Sequence, residues 1–206
     1  GGRRIIKQLC PEESRMTRTL KVVVVNGSPN ARSKTMGLAD LVTGHLASLL
    51  PIKVHRVDVY ALGTGFTEAR AREEVSPDVE LARVEAADVI VAATPVYRAS
   101  YSGMFKHFFD LVDQYGIANT PVILVATGGS DRHALVIEHA MRPLFGFFQA
   151  NTLPVGYYAN AGDFDGTSVL NAEVYSRIEV GLNDALPQLR LLAEGRSPVA
   201  PGFVAS

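Results

Sequence analysis

Short apolar runs alternate with longer amphipathic stretches along most of this chain. The run at 20–26 is largely β-branched, as in a strand buried on both faces, and 88–93 and 122–126 are similar. Residues 52–59 alternate apolar and polar positions, which predicts a half-exposed edge strand, and 153–158 predict a fifth strand. Helices are predicted between the strands, most of them from apolar residues at helical spacing, at 38–49, 77–87, 101–112, 132–148 and 174–186.

Prolines and glycines set the predicted boundaries of these elements. Pro51 is expected to end the first helix and Pro187 to interrupt the last, because proline removes a backbone donor and clashes with the preceding turn. Thr94-Pro95 is predicted to stop one strand at Ala93, and Thr127-Gly128-Gly129 another at Ala126. Residues 61–76 are predicted to form a charged loop.

Repeated strand–helix alternation is typical of a doubly wound α/β fold. The pattern predicts a five-stranded parallel sheet of order 2-1-3-4-5 with helices on both faces. In this order, the loops after strands 1, 3 and 4 lie nearest the point where the strand order reverses, and such folds bind ligands there. Those loops span 27–35, 94–103 and 126–130.

Composition excludes several other classes. The 206 residues include 20 Lys+Arg and 21 Asp+Glu, a net charge of −1, so nothing predicts nucleic-acid binding. One cysteine excludes an internal disulfide and a cysteine-based zinc site, and favours a reducing, cytoplasmic setting. The five histidines are scattered, so we expect no metal site. No apolar run approaches the roughly 20 residues of a membrane span.

The two ends of the sequence differ from the rest. Residues 1–15 lack periodicity, and we interpret them as a leader or a remnant added for expression, the alternative being a genuine but poorly ordered arm. Met16 resembles a natural start, so the working domain is expected to span 16–195. The proline-containing stretch 196–206 is expected to be a flexible tail.

The first loop has the composition of a phosphate site. It leaves a buried strand, enters a helix, and carries hydroxyl groups together with Arg32 and Lys34. Free N–H groups and the helix dipole favour an anion at such a position. The alternative is that Ser33 only caps the helix.

The other two loops are suited to a flat ligand. Tyr97 and Tyr101 could provide an aromatic wall with polar tips, or they could be ordinary core residues. Gly128 and Gly129 would let the backbone approach a flat ligand closely, or they could form a bare turn. The coincidence of three such loops at one sheet edge is more informative than any one of them.

The residues in these loops resemble a known family, the NAD(P)H-dependent FMN reductases of the flavodoxin-like superfamily. The resemblance covers roughly residues 20–192 and rests on NGSPNARSKT at 26–35, ATPVYRASYSG at 93–103 and ATGGS at 126–130. It is strongest for the methanesulfonate-type and alkanesulfonate-type FMN reductases of two-component systems. It implies a dimer or tetramer that uses FMN with NADH or NADPH and passes reduced FMN to a separate luciferase-like monooxygenase.

The resemblance also implies roles for particular residues. It places the FMN phosphate against Ser28, Asn30, Arg32, Ser33, Lys34 and Thr35. It places the ribityl chain and one side of the isoalloxazine against Pro95, Val96, Tyr97 and Arg98, and the pyrimidine edge against Thr127, Gly128, Gly129 and Ser130. Arg98 is expected to offset negative charge on the phosphate or on reduced flavin. No protein acid or base is expected, because the cofactor carries the hydride chemistry.

One helix carries a further expectation. Two-component members of this family have an extra aromatic residue after strand 4 that forms a π-bulge at a tetramer interface, and His139 occupies the matching position. The local residues agree, because Pro143 cannot donate to the carbonyl of His139 and the hydrogen-bond ladder can slip there. The alternative is an ordinary proline kink with a surface histidine.

Two other functions remain open at this stage. A quinone, azo-dye or chromate reductase that keeps its FMN bound would have nearly the same sequence features. A flavodoxin-type electron carrier is a different class of protein, and the net charge of −1 counts against it, since strong acidity suits docking to basic partners.

Overall fold

The computed structural model describes residues 17–63 and 77–195. The strands are β1 (Leu20–Asn26), β2 (Ile52–Asp58), β3 (Val89–Tyr97), β4 (Ser100–Tyr101), β5 (Pro121–Gly128), β6 (Asn151–Thr152), β7 (Tyr157–Asn160), β8 (Phe164–Asp165) and β9 (Ser168–Val169). The α-helices are α1 (Lys34–Leu49), α2 (Pro77–Glu85), α3 (Gly103–Leu111), α4 (Arg142–Phe147) and α5 (Ala172–Ala193). The predicted leader, the predicted tail and residues 64–76 of the predicted loop lie outside the described residues.

The main sheet has the predicted doubly wound order. Strands run β2-β1-β3-β5 in parallel, and β6 and β7 both pair with the far side of β5. The predicted fifth strand at 153–158 is only partly right: residues 157–158 belong to β7, residues 153–156 are in no strand, and β6 precedes them. Pro154 and Gly156 lie between β6 and β7, and neither residue favours a continuous strand. The edge position of β2 is confirmed.

Hydrophobic cores lie on both faces of the sheet. The four consecutive valines of β1 alternate between them: Val22 and Val24 pack beneath α1 and α5, whereas Val23 and Val25 pack beneath α3 and α4. This explains why β1 is a continuous apolar run, since a strand covered on both faces has no solvent side.

Two of the predicted strand ends are wrong, and both strands are longer. β3 continues through Pro95 to Tyr97, and β5 continues to Gly128. Pro95 is tolerated because β1 pairs with β3 only as far as Ala93, so the proline nitrogen faces no neighbouring strand. After Tyr97 the chain turns back into β4, a hairpin that the sequence did not predict.

Two predictions about helices are also corrected. α5 runs unbroken through Pro187, because Leu189 and Ala193 continue its buried face. Its missing hydrogen bond is to the carbonyl of Asn183, which lies on the exposed face where water can replace it. The predicted single helix at 132–148 is a 3₁₀ turn, a π-helix at Ile137–Met141, and then α4.

Within the ranges 17–63 and 77–195, no helix has the length and apolar character needed to cross a membrane.

Candidate functional site

The chain segments that follow β1 and β3 are tied together by the hydroxyl of Ser102. This side chain donates to the carbonyl oxygen of Gly27 at 2.6 Å, and it also caps α3 by accepting from the N–H of Phe105. The N–H of Ser102 donates to Oγ1 of Thr94 at 3.0 Å. Since all these groups are buried, the two segments hold a fixed position relative to each other.

A second buried contact links the first loop to the end of β5. The hydroxyl oxygens of Thr35 and Thr127 lie 2.6 Å apart although the residues are 92 positions apart in sequence. Thr35 is 2 % exposed and Thr127 6 % exposed. The three sheet-edge segments predicted to carry chemistry are therefore brought together.

The loop at 27–35, called the cationic loop below, is shaped by its own side chains. The buried hydroxyl of Ser28 donates to the carbonyl of Asn30 at 2.8 Å and accepts from the N–H of the same residue at 3.2 Å. Ser33 caps α1, because its hydroxyl oxygen accepts from the N–H of Met36 at 3.1 Å. The structure shows that Ser33 caps the helix, and its O–H proton is left to donate to a further partner.

Positive charge accumulates on the cationic loop. Arg32 is exposed, and the ammonium of Lys34 lies 5.9 Å from the ring centroid of Phe164. Neither side chain forms an ion pair with a carboxylate in the part of the chain that the structure describes. The first turn of α1 has no acidic residue either. The loop, the two cations and the helix N-terminus therefore favour an anion.

The end of β3 and the short β4 form a hairpin spanning Val96–Tyr101, in which Val96 pairs with Tyr101. Its turn residues Arg98 and Ala99 have φ values of 51° and 66°, which non-glycine residues rarely adopt. Tyr97 is 47 % exposed, whereas Tyr101 packs on Phe105 with ring centroids 5.7 Å apart. Core packing thus accounts for Tyr101, while Tyr97 stays exposed at the sheet edge.

The two glycines that end β5 differ in their surroundings. A side chain at Gly128 would collide with the hydroxyl of Tyr158, whereas one at Gly129 would meet nothing within 4 Å. The same Tyr158 hydroxyl donates to the carbonyl of Ser130 at 2.5 Å. Burial, together with the charges of Asp131 and Asp163, raises the pKa of Tyr158, so the phenol stays protonated and keeps donating.

All fourteen residues proposed from the sequence lie on these three segments. Their surroundings fall into three groups: Ser28, Thr35 and Thr127 are buried; Ser33, Lys34, Pro95, Val96, Gly128 and Ser130 are half-buried; Asn30, Arg32, Tyr97, Arg98 and Gly129 are exposed. Sequence reasoning missed Asn26, Ser102 and Tyr158, which hold the segments in place. The polar Asn26 at the end of a valine strand was the one available signal for a buried polar role.

The π-helix predicted at His139 is present. The N–H of Arg142 donates to the carbonyl of Ile137, five residues back, which defines a π-helical turn. The alternative of an ordinary proline kink is wrong, because the ladder widens by one residue just before Pro143, but His139 is exposed, as that alternative expected. His139 lines an open groove of about 1190 Å³ between α2, α3 and this turn.

Comparison with known families decides the relationship. The model of a family described as NADPH-dependent FMN reductase matches residues 20–165. This chain belongs to that family. An NADH-dependent FMN reductase, SfnF, from Pseudomonas putida is 45 % identical over 79 % of this chain and 89 % of its own length. An FMN reductase (NADPH) from Pseudomonas aeruginosa is 41 % identical over 84 % of this chain and 94 % of its own.

A solved structure extends the likeness to the fold. The apo form of the NADH:FMN oxidoreductase EMOB superposes with a TM-score of 0.73 at 25 % identity, covering 84 % of this chain and 90 % of that one. The family prediction and the flavodoxin-like fold prediction are both confirmed.

Proposed function

We propose that this chain catalyses the reduction of FMN by NADH or NADPH. The family consists of FMN reductases, and one observation in the structure supports the proposal. The Thr35–Thr127 contact joins the cationic loop to the end of β5, where the space at Gly129 is open. A phosphate and a flat ring need these two environments side by side.

The phosphate of FMN suits the cationic loop. Arg32 and Lys34 supply charge, Asn30 lies exposed beside them, and Ser33 retains a proton to donate. Ser28 and Thr35 belong to the same proposed site, and their hydroxyls fix the loop by bonding to Asn30 and Thr127.

The ring of FMN suits the surface formed by the other two segments. Gly129 leaves room for a flat ligand, and exposed Tyr97 provides an aromatic edge. Pro95, Val96 and Arg98 are proposed to flank the ribityl chain and one side of the ring. Thr127, Gly128 and Ser130 are proposed to meet its pyrimidine edge.

The protein's part in the reaction is placement. FMN, when bound, would supply the chemistry, which is the acceptance of a hydride from the nicotinamide. The cationic loop would hold the phosphate, and the hairpin and the end of β5 would hold the ring. The neutral phenol of Tyr158 holds Ser130 through a hydrogen bond, and no residue is assigned as a catalytic acid or base.

The resemblance to the FMN reductases of two-component systems also supports a proposal about partners. Reduced FMN is proposed to leave and to serve a separate luciferase-like monooxygenase. A dimer or tetramer is proposed through the face that carries the π-helix, supported by the groove beside His139 and by Phe147, which is 63 % exposed there. Scattered apolar exposure is normal, but an aromatic side chain lining a groove favours a contact.

Oxidation of NADH and of NADPH, each measured with added FMN, FAD or riboflavin, tests the proposed reaction. We expect turnover that saturates with added FMN. Protein that stays yellow on dialysis and turns over without added FMN would instead indicate a quinone, azo-dye or chromate reductase with resident flavin. Failure of the purified protein to oxidise either nicotinamide would favour an electron carrier of the flavodoxin type.

A further inference from the structure

Asn26 is a fully buried amide beneath the cationic loop, with 0 % exposure at the end of β1. Its Oδ1 accepts from the N–H of Ser28 at 3.0 Å. Its Nδ2 donates to the carbonyl of Asn30 at 3.2 Å and to Oδ1 of Asp58 at 2.8 Å. One side chain therefore satisfies two backbone groups of the loop and anchors them to β2.

Asp58 is the fixed end of this arrangement. It is the residue paired with Asn26 in the parallel register of β1 and β2, so the two side chains start from adjacent strands. Arg56 binds the same carboxylate through two contacts, Nε to Oδ1 at 3.0 Å and Nη2 to Oδ2 at 3.1 Å. This fork fixes the orientation of the carboxylate that receives the Asn26 amide.

The charge on this arrangement is balanced. An unpaired carboxylate next to the cationic loop would oppose an anionic ligand, but Arg56 pairs with Asp58 and leaves no net charge. The positive charges of Arg32 and Lys34 are therefore not cancelled from this side. Asp58 can serve as an anchor without lowering the attraction of the loop for a phosphate.

We propose that Asn26, anchored by the Asp58–Arg56 pair, is a positioning residue that holds the cationic loop in its phosphate-binding shape and so sets a preference for FMN over riboflavin. The inference rests on the proposed FMN site. Part of the preference for the phosphorylated flavin is thereby assigned to the buried Asn26, in addition to the contacts proposed for Arg32 and Lys34. Riboflavin lacks the phosphate, so its binding does not depend on the shape of this loop.

Equilibrium binding of FMN and of riboflavin, followed by flavin fluorescence without nicotinamide, tests the assignment. Asn26→Ala removes all three bonds without adding charge. We expect the preference for FMN, taken as the dissociation constant of riboflavin divided by that of FMN, to fall by about tenfold, because the buried N–H of Ser28 loses its acceptor and the loop loses its tie to Asp58. The affinity for riboflavin should stay within about twofold.

Asn171→Ala is the matched control. Asn171 also accepts a backbone N–H, that of Glu173, and donates to an aspartate, Asp163, at 2.6 Å, but it caps α5. We expect Asn171→Ala to lose about as much thermal stability as Asn26→Ala, because a helix cap is removed. The ratio of the dissociation constants for riboflavin and FMN should not change. A second variant, Arg56→Ala with Asp58→Ala, removes the anchor without changing net charge, and should lower the ratio by about threefold.

The outcomes separate the possibilities. Equal loss of both affinities, an unchanged ratio, or an equal fall in Asn171→Ala would overturn the assignment, as would wild-type protein without an FMN preference. If Asn26→Ala does not fold, the Arg56/Asp58 variant decides in the same way. A protein that shows the expected ratios but oxidises neither nicotinamide would retain the assignment and refute the proposed reaction.

Discussion

The cationic loop and the hairpin at Val96–Tyr101 leave the same edge of the sheet but are stabilised in opposite ways. Side-chain hydrogen bonds of Asn26 and Ser28 hold the loop. Its cations Arg32 and Lys34 form no ion pair with a carboxylate of the described residues. The hairpin instead turns through two residues with positive φ and exposes Tyr97. One segment is suited to hold a charge in place, and the other, with the open end of β5, to present a surface. The cationic loop is the phosphate side of the proposed site, and the hairpin with the end of β5 is the ring side. We expect substitutions on the two sides to change flavin binding in different ways.

The largest effect is expected from removing the positive charges of the phosphate side. Arg32→Ala combined with Lys34→Ala should weaken FMN binding by about 100-fold, since two charge-assisted contacts are lost. Riboflavin binding should change little, because it carries no phosphate. Flavin fluorescence titrations of both ligands measure the split, and equal weakening of both would show that the two sides are not separate.

The next largest effect is expected from adding a side chain on the ring side. Gly129→Val fills space that is open in this structure, so it should weaken FMN and riboflavin alike, by about tenfold. The fold should be little affected, because no heavy atom lies within 4 Å of the position that the new Cβ would take. An FMN-specific loss would place Gly129 on the phosphate side instead.

Gly128→Ala is the matched control for Gly129. Its new methyl group collides with the Tyr158 hydroxyl, so it should lower the free energy of unfolding by about 1–3 kcal/mol. Thermal denaturation separates the two variants: Gly128→Ala should melt earlier and Gly129→Val should not.

A smaller effect tests how the end of β5 is held. Tyr158→Phe removes the donor to Ser130 and should destabilise the fold by about 1 kcal/mol. Because burial raises the pKa of Tyr158, the neutral phenol is favoured in the folded state, and its contribution is complete below the ordinary tyrosine pKa of about 10. The contribution is lost as pH rises through the raised value.

Denaturation of wild type and Tyr158→Phe between pH 7 and 11 checks this sign. The difference in stability should be constant up to about pH 10 and shrink above it. A difference that grows with pH would contradict a donating phenol.

The smallest effect concerns the hairpin turn. Ala99 has a φ of 66°, so Ala99→Gly should relieve strain and stabilise the protein by about 0.5 kcal/mol after the entropy cost of glycine. Affinity for both flavins should be unchanged. A lower melting temperature would mean that the turn is not strained at this position.

The fold could be predicted from the sequence because the clearest patterns extend over many residues. Four consecutive valines in β1 and similar runs in β3 and β5 require a sheet covered on both faces. Two predictions that depended on a single proline failed, at Pro95 and Pro187, whereas α1 does end just before Pro51. At Pro95 and Pro187 the neighbouring strand had already ended or the exposed helix face could be hydrated, so the proline cost was small.

The site was predicted at the level of segments, not of contacts. Sequence order places the loops after β1, β3 and β5 at one edge, but it does not show that Thr35 reaches Thr127 or that Ser102 reaches Gly27. Such bonds depend on three-dimensional distances between residues far apart in the chain. The His139 π-helix was expected from the family resemblance, and the local sequence agreed with it, because Pro143 cannot donate to the carbonyl of His139.

Calorimetric titration of the wild-type protein with FMN and with riboflavin, at low and at high salt, tests the central claim most directly. If the cationic loop holds the phosphate, FMN should bind at least about tenfold more tightly than riboflavin, and added salt should reduce that ratio by screening Arg32 and Lys34. Equal affinities, or a ratio that does not respond to salt, would contradict a phosphate site on this loop.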